Sequence, residues 1–256
     1  MKVVILAGGY GTRLTEETEV RPKPMVEIGG MPILWHIMKH YAHYGHKEFF
    51  LCLGYKSEYI KRFFIDYMSL SGSISINLAN GKVVHHNEHT EDWIVHCIET
   101  GIDTNTGGRI LRLKPYLEGE SFMLTYGDGV SSIDLNALED FHSRHGKIAS
   151  ISAVRPPARF GDIEIEGDLV RTFAEKPQLG EGWINGGFMV MDSRVFDYIE
   201  GDDTNFEKVA LERLARENQL GAYRHGGFWQ CMDTLRDKRT LEQLYLGGNP
   251  PWMMWR

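Results

Sequence analysis

The chain has 256 residues, of which 42% are hydrophobic and 25% charged, with a formal net charge of −7. That length suits one large α/β domain or at most two small ones, and the apolar share can bury a sizeable core, which excludes a disordered chain. The acidic balance, with no basic block anywhere, argues against nucleic acid and against an anionic membrane as partners, so a polyanionic ligand must be met by a local cationic site.

Three cysteines (Cys52, Cys97 and Cys231) are odd in number and widely spaced. They do not read as a disulfide framework, so a reducing cytoplasm is the expected compartment. The first apolar run is too short for a signal peptide, and no run approaches the ~20 residues of a membrane span.

Val3 to Ala7 has the unbroken apolar texture of a buried parallel strand. It runs into Gly8-Gly9-Tyr10-Gly11-Thr12-Arg13. Glycines there can turn their N–H groups toward one point and form an anion-binding concavity, with Arg13 as a fixed charge beside it. No lysine follows Gly11, which rules out a Walker loop, and Leu14 stands where a dinucleotide fingerprint needs glycine. The glycine spacing alone is equally compatible with an ordinary strand-to-helix turn.

Glu16 to Lys23 reads as an exposed loop in which Pro22 and Pro24 stiffen Lys23. Pro32 opens a helix with Ile33, Leu34, Ile37, Met38, Tyr41 and Ala42 on one face, ended by Gly45. Phe49 to Leu53 is a second buried strand, and Ser57 is placed to cap a helix carrying Ile60, Phe63 and Phe64. This β-α-β-α order implies a parallel sheet with right-handed crossovers. Ser73 to Ala79, Lys82 to His86 and Trp93 to Glu99 are expected as antiparallel strands inserted at the sheet edge, with Asn80-Gly81 as a hairpin turn.

Arg109 to Leu117 is expected to start a helix, and Phe122 to Tyr126 to be a third buried parallel strand ending at Gly127-Asp128-Gly129. A helix from Asp134 to His145, capped by Asp134, and a strand from Ile148 to Val154 follow. Asp162 to Val170 alternates as a second hairpin, turning at Gly167-Asp168, and Ile184 to Met191 returns to the core. Asn205 to Gln219 is an amphipathic helix on Phe206, Val209, Leu211, Leu214 and Ala215, and a last helix runs from about Asp233 to Leu246. The apolar tail Pro250 to Trp255 either packs on its own body or meets a neighbouring subunit. The expected fold is therefore α/β: a Rossmann-like mixed, mainly parallel sheet flanked by helices, with inserted antiparallel hairpins, forming a single domain over residues 1–256.

Leu6-Ala-Gly-Gly-x-Gly-Thr-Arg-Leu14, followed by Pro22-Lys-Pro-Met25, resembles the signature of the sugar-1-phosphate nucleotidylyltransferases. The resemblance continues through Thr104-Asn-Thr-Gly-Gly-Arg109, Thr125-Tyr-Gly-Asp-Gly129, Phe173-x-Glu-Lys-Pro177, Ile184-Asn-Gly-Gly-Phe188 and Phe228-Trp-Gln-x-Met-Asp-Thr234. It implies in-line attack of a sugar phosphate on the α-phosphorus of a nucleotide, catalysed by positioning and charge neutralisation. Within the family the chain is most similar to members that use CTP and glucose 1-phosphate, with UTP or dTTP as the alternative nucleotide. The two substrates bring about six negative charges, so several cations must converge.

The resemblance assigns Leu6, Ala7, Gly8, Gly9, Tyr10, Gly11, Thr12, Arg13, Lys23, Thr104, Arg109 and Asp128 to the nucleotide. It assigns Glu175, Lys176, Asn185 and Gly186 to the sugar phosphate. Arg13, Lys23 and Lys176 are the implied catalytic cations, and Asp128 and Asp233 the implied ligands of Mg²⁺, a hard ion that takes one or two carboxylates. Each has a local reading too: Lys23 as a surface lysine, Asp128 as a turn residue, Asp233 as a helix cap, Arg109 as an exposed helix start, and Glu175-Lys176 as a solvated strand end.

Cys231 stands where the family signature has proline, which frees φ just before Met232-Asp233. Arg21 stands where relatives often have lysine. His36 and His40, one helical turn apart, and the cluster His85, His86 and His89 read as structural or surface groups, since no glutamate follows His36 as a zinc-hydrolase motif requires. A homo-oligomer is the expected assembly. A non-catalytic nucleotide-sensing subunit on the same fold is the rival function, and it predicts damaged catalytic positions where Arg13, Lys23, Asp128, Lys176 and Asp233 are all intact.

Overall fold

The computed structural model describes residues 1–12, 14–86, 91–156, 162–166, 169–174 and 182–255. Strands β1 (Val3–Leu6), β2 (Glu48–Leu53), β3 (Ile94–Glu99) and β4 (Phe122–Tyr126) run parallel, with β1 between β2 and β4 and β3 outside β2. β5 (Ala149–Val154) and β7 (Leu220–His225) are parallel to each other, and β6 (Ile184–Met191) lies antiparallel between β4 and β5. These strands make one sheet of order β7-β5-β6-β4-β1-β2-β3, in which β6 alone is reversed.

Apolar layers cover both faces, and that is why β1 carries no polar residue. Val3 and Ile5 face the layer that holds helix α1 (Ile33–His43), with its Ile33, Leu34, Ile37, Met38 and Tyr41. Val4 and Leu6 face the other layer, with Ile110, Leu113, Leu117, Phe206 and Ala210. The expected architecture holds, and α1 lies as expected between Pro32 and Gly45, whose φ of 88° ends it.

Several elements depart from the sequence reading. Helix α2 (Ser57–Leu70) starts after Lys56 in the left-handed region (φ 51°), and the Ser57 hydroxyl donates to Glu99 at 2.7 Å instead of capping. Ile74–Asn77 and Lys82–His85 do form the hairpin, as a separate two-stranded sheet. The third run belongs elsewhere: β3 joins the main sheet parallel to β2. Both faces of β3 are partly covered, and a strand-like texture carries no strand direction. The expected helix from Arg109 begins earlier, as α3 (Thr106–Leu111), with a separate short turn at Lys114–Leu117, and Arg109 is buried.

Helix α4 (Leu135–His145) is capped as expected, with Asp134 accepting from Ala137 N–H at 3.0 Å. Asp162–Glu166 and Leu169–Ala174 pair antiparallel, while the Gly167-Asp168 turn lies outside the described residues. The amphipathic helix starts as a π-turn, Phe206–Leu211, before Glu212–Arg216. Its wider winding buries Phe206, Ala210, Leu211 and Leu214 and leaves Val209 39% exposed. Helix α5 (Leu235–Leu246) is capped by Thr234 rather than Asp233. The tail packs on its own body: Trp252 is buried and stacks on Phe228 with ring centroids 5.8 Å apart. Among the described residues no helix is long and apolar enough to cross a membrane.

Chain order reverses between β1 and β4, which are neighbours in the sheet although two strands separate them in sequence. Open α/β sheets place ligands in the crevice at such a switch point, outside the C-terminal strand ends.

Candidate active site

Two cavities open there. One, of about 550 Å³, is lined by Leu6 to Thr12, Lys23, Thr104, Arg109, Tyr126, Asp128 and Asp233 among others. The second, of about 250 Å³, is lined by residues including Tyr126, Asp128, Asn185, Gly186, Trp229, Cys231 and Asp233. Tyr126, Asp128 and Asp233 thus form a wall that both cavities share.

The floor of the larger cleft is backbone. A Cβ on Gly8 would stand 2.3 Å from the Arg109 Nη1, and one on Gly11 (φ +65°) would stand 2.8 Å from Thr18 Cγ2. Both positions therefore need glycine. Arg109 donates from Nη1 to Leu53 O, Thr100 Oγ1 and Gly101 O, and from Nη2 to Gly8 O and Ile102 O, at 2.7 to 3.1 Å. Its guanidinium ties the glycine loop to the end of β2 and to the turn after β3. It lines the larger cavity, and its charge is taken up by protein oxygens. Thr104 is buried at the same wall. Tyr10 reaches over the rim, its hydroxyl donating to Asp103 at 2.8 Å.

The charged cluster sits on the shared wall. Lys23 lies in a single 3₁₀ turn (Lys23–Met25) whose Pro24 and Met25 are buried, so its stem is anchored. Its Nζ donates to Asp128 Oδ2 at 2.6 Å and to Asp233 Oδ1 at 2.5 Å. Burial opposes its charge, yet the two carboxylates outweigh that and hold its pKa above the ordinary lysine value. Lys23 is no surface lysine: its side chain is 13% exposed.

Asp128 follows β4, and Gly129–Ser131 pairs antiparallel with Trp229–Cys231, setting Cys231 opposite Gly129. Met232 N–H donates to Asp128 O at 2.8 Å, which locks the two acidic residues beside one another. The cap of α5 is a capping box of Thr234 and Asp237, so the Asp233 carboxylate turns to Lys23 instead. The ladder also fixes the backbone at Cys231, where proline is missing. Burial, then Asp233 and Asp128, push the Cys231 thiol up to about 11, so it stays neutral at Sγ 3.9 Å from Asp233 Oδ2.

Two carboxylates already share one cation here, the Lys23 ammonium, and hard oxygen donors so placed fit a hard divalent ion. Among the described residues no group of three or more His, Cys, Asp or Glu residues forms a metal cluster.

Asn185 and Gly186 line the smaller cavity. Asn185 Oδ1 accepts from Gly187 N–H at 2.9 Å, and Trp229 Nε1 donates to Gly186 O at 2.7 Å. Arg13, Glu175 and Lys176 lie outside the described residues. Tyr126 and Trp229 also line these cavities, and the sequence reading did not single them out. His36 and His40 are buried core groups, His36 Nε2 pairing with Ile28 O at 2.8 Å.

The fold agrees with that of known proteins. The family model described as nucleotidyl transferase matches residues 2–234. The glucose-1-phosphate cytidylyltransferase of Salmonella typhi is 48% identical over 256 residues, covering 100% of both chains. Mannose-1-phosphate guanylyltransferase 1 of Arabidopsis thaliana is 30% identical over 96% of this chain and 65% of its own length. Among solved structures, HddC from Yersinia pseudotuberculosis, complexed with GMP-PN, superposes with a TM-score of 0.68 at 26% identity over 95% of this chain and 99% of that one. With a family match across nine-tenths of its length and a full-length relative at that identity, the chain belongs to the nucleotidyl transferase family.

Proposed function

We propose that the chain transfers a cytidylyl group from CTP to glucose 1-phosphate, giving CDP-glucose and pyrophosphate. The observation that carries this is the Lys23–Asp128–Asp233 cluster on the wall shared by the two cavities. The full-length relative from Salmonella typhi supports the choice of substrates.

In this reading the larger cleft takes CTP and the smaller one the sugar phosphate. A phosphate oxygen of glucose 1-phosphate attacks the α-phosphorus in line. The new P–O bond forms as the bond to the β-phosphate oxygen breaks, and pyrophosphate leaves with the electron pair. The backbone of Leu6 to Gly11 cradles the nucleotide, with Thr12 and Arg13 at its β- and γ-phosphates. Lys23 offers its ammonium at the junction of the two phosphates. Asn185 and Gly186, with Glu175 and Lys176, hold the sugar and its phosphate. Asp128 and Asp233 would hold Mg²⁺, which when bound neutralises phosphate charge. Thr104 and Arg109 act on the nucleotide by shaping its wall.

The chain works as a single domain over residues 1–256 in the cytoplasm, and copies of it associate. Ile65, Leu70 and Leu78 support association, being 76, 79 and 92% exposed. Size-exclusion chromatography with light scattering tests that point.

Pyrophosphate release is measured with glucose 1-phosphate and each of CTP, UTP, dTTP, ATP and GTP in Mg²⁺. CTP should exceed the others by about 100-fold or more in kcat/KM. A preference for UTP or dTTP would replace the nucleotide in the proposal. Nucleotide binding with no pyrophosphate from any pair would favour the non-catalytic sensor.

A further inference from the structure

Glu207 stands at the start of the π-turn, behind the wall that separates the cavities, and lines neither of them. Its carboxylate accepts two hydrogen bonds: from the Tyr126 hydroxyl at Oε1, 2.6 Å, and from the Thr106 hydroxyl at Oε2, 2.8 Å. Thr106 lines the nucleotide cleft, and Tyr126 lines both cavities. The Tyr126 hydroxyl also hydrogen-bonds to the side chain of Asn185, in the smaller cavity. One carboxylate therefore joins a residue of the nucleotide side to a residue of the sugar side through a single ring.

The ring has little room to move. A Cβ on Gly187 would lie 2.6 Å from Tyr126 Cδ2. Burial and then the Glu207 charge keep the phenol protonated, so it remains a donor to that carboxylate.

The carboxylate itself is anchored. Phe206 N–H donates to Thr106 Oγ1 at 2.9 Å, and Asn105 and Gly107 N–H donate to Asp202 O and Thr204 O. A Cβ on Gly107 would lie 2.6 Å from Thr204 O, and one on Gly108 would lie 2.5 Å from Asp202 Cα. The Thr104 to Arg109 motif thus owes its paired glycines to close packing on the segment that delivers Glu207. A π-turn, rare and concentrated at functional sites, begins that segment.

We propose that Glu207 is a positioning residue for nucleotidyl transfer, holding Tyr126 and Thr106 so that both substrate cavities keep a common wall. This rests on reading the two cavities as the nucleotide and sugar-phosphate sites. Because the ring borders both, loss of its anchor disturbs the approach of one substrate to the other, not the binding of one alone.

The test is an initial-rate matrix over CTP and glucose 1-phosphate for the unsubstituted chain, Glu207→Ala, Glu207→Gln, Tyr126→Phe and the Glu207→Ala/Tyr126→Phe pair. Circular dichroism and active-site titration are run alongside. Glu207→Ala should raise both KM values and lower kcat/KM by about 10- to 100-fold, as misplacement of bound groups does. Glu207→Gln, which keeps an acceptor, should restore activity to within about 5-fold. The double variant should lose clearly less than the product of the two single losses, since the two changes share the Tyr126–Glu207 link. Turnover with both KM values unchanged in every variant, or strictly additive losses, would overturn the role of Glu207 alone. No turnover by the unsubstituted chain would overturn the reading of the cavities as well.

Discussion

The two halves of the site are built from different materials. The larger cleft is floored by peptide backbone, held in shape by the five hydrogen bonds that Arg109 gives to Gly8, Leu53, Thr100, Gly101 and Ile102. The shared wall is built from side-chain charge, with Lys23 between Asp128 and Asp233. Backbone sites are sensitive to added volume and indifferent to most charge changes nearby. Charge clusters are the reverse: an isosteric neutral residue keeps their shape and destroys their work.

The largest effect should come from the charged half. Asp128→Asn, Asp233→Asn and Lys23→Met should each lower kcat about 10³-fold, as loss of a preorganised electrostatic group does. Circular dichroism and Tm should stay close to those of the unsubstituted chain. A loss under about 5-fold in steady-state kinetics would remove these side chains from the chemistry.

Acid separates the site from the core beneath it. His40 is buried against Tyr44 and Phe188, and burial pulls its pKa down from 6.5 to about 4. A base whose folded pKa is depressed takes up more protons when unfolded. Its contribution is therefore full above about pH 6.5 and is lost as pH falls towards about 4, by about 3 kcal/mol. Urea unfolding followed across that window should show the fall, and His40→Leu should make it shallower by that share, the remainder coming from His46, whose pKa burial also lowers to about 4, while Asp233→Asn leaves the slope from His40 in place.

Bulk should damage the backbone half. Gly8→Ala, whose methyl meets Arg109, should lower kcat/KM for the nucleotide by about 100-fold, whereas Gly226→Ala, which lines neither cavity and has nothing within 4 Å of its Cβ, should stay within about 2-fold. Equal kinetics for the two variants would contradict the picture of a floor shaped by Arg109. The smallest effect belongs to Thr234→Ala, which removes the cap of α5 and should cost about 1 kcal/mol in urea unfolding with kcat within about 3-fold.

How much of this could be read from the residues varied with how local the signal was. The apolar run of β1, the glycine bend, the Asn80-Gly81 hairpin and the Asp134 cap are set by neighbours in sequence, and they stand where expected. Asp233 misled because it and Thr234 are both good caps, and the choice falls to Asp237, whose side chain completes the box with Thr234. Arg109 misled because arginine is ordinarily solvated, and its carbonyl partners come from three separate segments. β3 misled in direction because a strand-like texture does not report which neighbour a strand pairs with. Val209 failed because a π-turn shifts the buried face, and no composition announces one. Lys23, Asp128 and Asp233 were all legible as members of motifs, and what the folded chain adds is the direct pairing of Lys23 with both carboxylates.

Lys23 and Asp128 are 105 positions apart, and Lys23 and Asp233 are 210 apart, almost the whole span of the polypeptide. Contacts between such distant positions form late, after local helices and hairpins have returned. During synthesis the amino-terminal half of the crevice leaves the ribosome long before its last acidic residue. Helicity should therefore recover ahead of turnover on refolding, and a nascent chain halted short of residue 233 lacks one of the two carboxylates that face Lys23.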